Sequence, residues 1–110
     1  MNKEYIIKEN QVFDELIKSC PYRKNNSFIV FYRKKEGLFA KYGIATPKKL
    51  GKAVIRNKLK RRTRAIVSEF KKDYKNGYDC IIISRKGSLN KKYNILKEEL
   101  FSLLLSINTR

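Results

Sequence analysis

Residues 43–64 read GIATPKKLGKAVIRNKLKRRTR, and the fold turns on how this stretch divides. Its first residues close the run LFAKYGIAT, whose β-branched and aromatic content fits a strand ending at Thr46. Pro47 and Gly51 punctuate PKKLG, a turn. Apolar residues then return at Ile55, Leu59, Ile66 and Phe70, the spacing of a long helix that Asn76-Gly77 terminates. At about 100° per residue those four lie within an arc of about 60°, which predicts the buried stripe. Arg56, Asn57, Lys60, Arg61 and Arg64 share a separate arc of about 140°, turned away from the core. Lys58 and Arg62 fall on the other flank and are expected to matter least to that face.

From Val54 to Val67, six of fourteen residues are Lys or Arg, and no Asp or Glu occurs between Gly37 and Ser68. A solvated helix normally places acids four residues from its bases to gain favourable pairs. Here like charges stand unrelieved, an arrangement that a polyanion would relieve on binding. Arginine's planar fork suits phosphate oxygens and stacking on bases, and Asn57 adds a neutral donor and acceptor. Lys48, Lys49 and Lys52 carry the patch into the loop before the helix, where backbone amides also face outward.

The whole chain repeats the bias. Its 110 residues hold 27 Lys and Arg against 10 Asp and Glu, a formal charge of +17. That excess points to nucleic acid or an acidic surface as partner. The length fits one domain, residues 1–110, and the 42% apolar content supplies a core. Cys20 and Cys80 stand sixty positions apart in a chain without histidine. Neither a clustered metal site nor a Cys-His nucleophile follows, and both cysteines read as reduced thiols of a cytoplasmic protein. The N-terminus lacks a signal-peptide pattern, and no run approaches the ~20 apolar residues of a membrane span. Scattered acids, Asp79 in a loop and Glu69 on a helix surface among them, offer no pair for acid–base or two-metal chemistry.

Elsewhere, Val12, Phe13, Leu16 and Ile17 predict a helix from Asn10 to Cys20. SFIVFY (27–32) reads as a strand that, across the polar turn RKKEG, forms an antiparallel hairpin with LFAKYGIAT (38–46). Its aromatics, Phe28, Phe31 and Tyr32 with Phe39 and Tyr42, serve as core or, where alternation turns them outward, as stacking platforms. YDCIIIS is a buried strand, and Tyr93, Leu96, Leu100, Leu103, Leu104 and Ile107 form the stripe of a last helix. The expected fold is α+β: a small mixed sheet packed with helices in a two-layer sandwich, ordered α-β-β-(β)-α-β-α, one sheet face covered and the other partly available.

The signature Arg56-Asn57, Lys60-Arg61 and Arg64 resembles the R-N-x-x-K-R-x-x-R motif of the protein subunit of bacterial ribonuclease P. GIATPKKLGKAVIRNKLKRRTR and YDCIIISRKG resemble that family's central block and following strand; NQVFDELIKS and FIVFY resemble its first helix and early strand. The resemblance implies a left-handed βαβ crossover, against the usual right-handed rule. It also implies a ribonucleoprotein that removes the 5′ leader of precursor tRNA, in which the catalytic RNA and its magnesium ions carry out hydrolysis. The implied partners are that RNA and precursor tRNA, with no membrane, no protein partner and no cofactor bound by the protein alone. By position, Lys52, Arg56, Asn57, Lys60, Arg61 and Arg64 would meet the RNA subunit, and Phe13, Ile17, Phe31, Lys48 and Lys49 the leader. Two departures bear on the leader: Ile17 stands where the family commonly has an aromatic, and Phe31 where it has a tyrosine. Pro47 also removes a backbone donor near the lysines. A structural RNA-binding protein of ribosomal type is the alternative. A DNA regulator is disfavoured because strands, not a short-turned helix pair, precede the basic helix.

Overall fold

Strand β2 (Phe28–Lys34) alternates strictly: Phe28, Val30 and Tyr32 are buried, while Ile29, Phe31 and Arg33 point to the opposite face. The computed structural model describes residues 20–34, 40–74 and 77–108. The helix expected at 10–20, with Phe13 and Ile17, and Phe39 in the loop lie outside them.

The central strand is β4 (Tyr78–Ser84), antiparallel to β2 on one side and parallel to β3 (Tyr42–Ala45) on the other. With β1 (Tyr22–Lys24) at the far edge, the order is β1-β2-β4-β3. The hairpin expected between β2 and β3 is therefore not formed: β4 separates them. Its Cys80, Ile81 and Ile82 are buried, on both faces of the strand, so it gains most by filling both edges with hydrogen bonds. The hairpin that does form joins β1 to β2. Its turn is organised by Asn25, whose Oδ1 accepts from the backbone N–H of Ser27 (3.0 Å) and Phe28 (2.9 Å).

Helix α1 (Ala53–Asp73) and helix α2 (Tyr93–Asn108) cover one sheet face. The core joins Phe28, Val30, Tyr42, Cys80 and Ile82 of the sheet to Leu59, Ile66, Val67 and Phe70 of α1 and Leu96, Leu100, Leu104 and Ile107 of α2. Each such side chain, fully buried, contributes about 1.5–3 kcal/mol. Ile55 departs from the expected stripe, being 46% exposed. It lies one turn before the helix meets the core at Leu59, and lines a surface groove with Leu50 and Leu89 instead. Thr63 takes a buried place because its hydroxyl donates to the Leu59 carbonyl at 2.9 Å, leaving nothing polar unsatisfied. Tyr42, 1% exposed, and Tyr32, 5% exposed, are core residues rather than platforms.

A polar clasp ties the β1–β2 turn to α2. Lys91 Nζ donates to Glu99 Oε1 (2.9 Å) and Ser27 Oγ (2.7 Å), and Ser27 Oγ donates to the same carboxylate. Arg85 Nη1 donates to the Asn25 carbonyl. Beside it, a β-carbon on Gly87 would stand 2.0 Å from the Asn26 carbonyl oxygen, which only glycine avoids. Gly87→Ala is expected to lower unfolding free energy by about 1–3 kcal/mol, read as a fall in the urea midpoint.

Candidate nucleic-acid interface

The basic face begins in the turn that feeds α1. Leu50 is buried and anchors a 3-10 turn, Lys48–Leu50, whose lysines are left exposed. Gly51 follows at φ 141°, a backbone conformation that favours glycine and lets the chain reverse into the helix. Lys52 occupies the N-cap in extended conformation with no side-chain cap bond, and the first turn holds no acid. A helix start with neither an acceptor nor an acid keeps its outward amides and positive pole available to an anion.

Arg56 is held there: its Nε donates to the Gly51 carbonyl at 3.1 Å in an exposed hydrogen bond, and the residue as a whole is half-buried. Asn57, Lys60, Arg61 and Arg64 are exposed, on the side away from the core stripe. Among the described residues, none of Lys52, Arg56, Lys60, Arg61 and Arg64 is in an ion pair. Further along the same arc Lys71 is half-buried, and burial pushes its ammonium below the ordinary lysine range.

The other flank differs. Arg62 is half-buried and its Nη1 donates to the Lys91 carbonyl at 3.3 Å, tying α1 to the segment before α2. Lys58 and Arg62 border a 430 Å³ groove floored by Leu50, Ile55 and Leu89. One helix thus carries two cationic flanks, one open and one partly spent on structure.

The sheet face opposite the helices carries the second set. Register aligns Tyr22, Phe31, Ile81 and Gly43 in one row, with Lys24, Ile29, Ile83 and Ala45 in the next. Ile81 and Gly43 are buried, Phe31 is half-buried, and Tyr22 is exposed, so access rises toward β1. Phe31 faces this row as alternation predicted. Lys48 and Lys49 follow the end of β3, which lies two strands from the β2 that carries Phe31. Phe13 and Ile17 lie outside the described residues. The β1 residues went unnoticed in the sequence because three residues give no period; the Asn25-Asn26 turn was the available signal.

Asp79 and Glu69 are engaged within the protein. Asp79 is not a loop residue but buried in β4, its carboxylate accepting from the Lys41 backbone N–H (2.8 Å) and lying 3.6 Å from Arg33 Nε. Glu69 meets Lys97 at 3.3 Å and accepts from the Tyr93 hydroxyl; burial and this carboxylate raise Tyr93 above its ordinary pKa. Among the described residues no three His, Cys, Asp or Glu side chains gather into a metal set.

Among the described residues, a mixed four-stranded sheet backed by two helices, one of which leaves a cationic face exposed, defines a small α+β protein. The family model for ribonuclease P matches residues 1–108, and the chain belongs to that family. The ribonuclease P protein component of Mycoplasma capricolum is 38% identical over 108 residues, covering 97% of this chain and 99% of that relative. That of Mesoplasma florum is 34% identical over 106 residues, 96% of each. A mutant Staphylococcus aureus RNase P protein with defective mRNA degradation activity superimposes with a TM-score of 0.87 at 29% identity, over 96% of this chain and 90% of that one. The RNase P protein from Thermotoga maritima gives 0.80 at 30% identity, over 89% and 93%.

Proposed function

We propose that the chain is the protein subunit of a bacterial-type ribonuclease P acting in the cytoplasm, with the open face of α1 seated on the catalytic RNA. The observation that carries this reading is the unneutralised run of Lys52, Arg56, Asn57, Lys60, Arg61 and Arg64 on one side of a helix whose other side is core. Arg61 and Arg64, one turn apart, suit adjacent phosphates, while Arg56, already braced on Gly51, contributes a guanidinium with little freedom left to lose. The leader of precursor tRNA is assigned to Phe31 on the opposite sheet face and to Phe13 and Ile17, which lie outside the described residues, with Lys48 and Lys49 offsetting its phosphate charge. Magnesium ions held by the RNA supply the hydrolytic chemistry. The protein's own work is electrostatic and positional: it lowers repulsion between two polyanions and holds the leader in one orientation.

Adding the protein to a folded bacterial ribonuclease P RNA at low magnesium is expected to raise precursor-tRNA cleavage at least about tenfold over RNA alone. Absence of stimulation with correctly folded RNA would overturn the assignment.

A further inference from the structure

Tyr22 has no role in the reading above. It stands on the edge strand, is 53% exposed, and is the most exposed aromatic among the described residues. A half-exposed tyrosine on an edge strand is usually unremarkable, but its neighbours are particular. Its ring lies 5.4 Å from that of Phe31, tilted by 48°, so the two rings offer faces in different directions rather than forming one stack. Across this row access falls from Tyr22 through Phe31 to the buried Ile81, so the aromatic surface a base can reach is concentrated at β1. Lys24, two residues on and exposed, lies on the same face. An exposed ring with a lysine one pleat away is the elementary unit of single-strand binding: a base on the ring, a phosphate on the ammonium.

Resting on the leader-face assignment above, we propose that Tyr22 and Lys24 extend the leader-binding surface across the edge of the sheet. Tyr22 stacks the nucleotide next to the one on Phe31. The tilt between the rings suits successive bases of an unstacked strand. The extra platform offsets the aromatic missing at Ile17, and it makes affinity depend on leader length.

The test uses the assembled holoenzyme and precursor tRNAs with leaders of increasing length. Tyr22→Leu keeps apolar cover over Phe31 but removes the stacking face; Tyr22→Phe keeps both. Tyr22→Leu is expected to lose about tenfold in long-leader affinity relative to a one-nucleotide leader, and Tyr22→Phe to retain the wild-type ratio. The leader length at which Tyr22→Leu first costs affinity should lie next to the length at which Phe31→Ala does. If Phe31→Ala lowers the ratio and Tyr22→Leu does not, the Tyr22 assignment is overturned while the leader face stands. If neither lowers it, the leader-face reading falls with it. A Tyr22→Leu loss equal for every leader length also overturns the proposal, since it marks a structural role.

Discussion

Replacing Arg61 and Arg64 together with alanine is expected to weaken binding to folded ribonuclease P RNA by about tenfold to a hundredfold at fixed salt. It is also expected to reduce the slope of log affinity against log salt by about two. Both arginines are exposed, outside any ion pair among the described residues, on the arc opposite the core. Their removal therefore takes away the proposed phosphate contacts without opening the interior. The free protein should be as stable as before or slightly more so, because like-charge neighbours one turn apart are relieved. Lys58→Ala, equal in kind but on the other flank, is expected to change affinity by less than about threefold. Equal losses from the two flanks would mean that the RNA does not read the helix by side. A salt titration of each variant separates these outcomes.

The second large effect lies in the core. Phe70→Ala is expected to cost about 3–5 kcal/mol of unfolding free energy. Phe70 is fully buried, stacks on Tyr74 with centroids 4.9 Å apart, and meets Phe101 edge-on at 5.2 Å. It joins the C-terminal half of α1 to α2, so truncation leaves a cavity between both helices and the sheet. Domains of this size have about 5–15 kcal/mol in total, and a charge of +17 places the free protein toward the low end at low salt. The variant should keep no more than about 2 kcal/mol in dilute buffer, with up to about half of its molecules unfolded, and recover when RNA is added, since a ligand at about a hundred times its dissociation constant contributes about 2.7 kcal/mol. Urea midpoints with and without RNA measure both quantities. A loss below about 1 kcal/mol would show that Phe70 does not join the helices.

The sequence is legible where structure is periodic. The long basic helix, the stripe of α2, the alternation of β2 and the buried run of β4 all follow from spacing, and so does the sidedness that separates Arg61 from Lys58. Strand partners are not periodic information. Phe28–Lys34 is separated from Tyr42–Ala45 by a turn-like loop, yet its partner is Tyr78–Ser84, far along the chain. Local pattern weighs the nearby turn; the fold weighs burial of Cys80, Ile81 and Ile82 on both faces. The same blindness hid Thr63, whose burial depends on a bond to Leu59, and Asp79, whose burial depends on Lys41 and Arg33. At the interface, the face of α1 is visible from residue types. Tyr22 is not, because its meaning comes only from the register that sets it beside Phe31.

The central place of β4 also governs the order in which the molecule can be built. During synthesis β2, β3 and the cationic helix all leave the ribosome before Tyr78–Ser84, and until that strand arrives the two earlier strands have no edge in common. Sheet closure is therefore a late, long-range event, slow by the measure of contact order. For that interval the nascent chain presents α1 without the sheet that buries its apolar side.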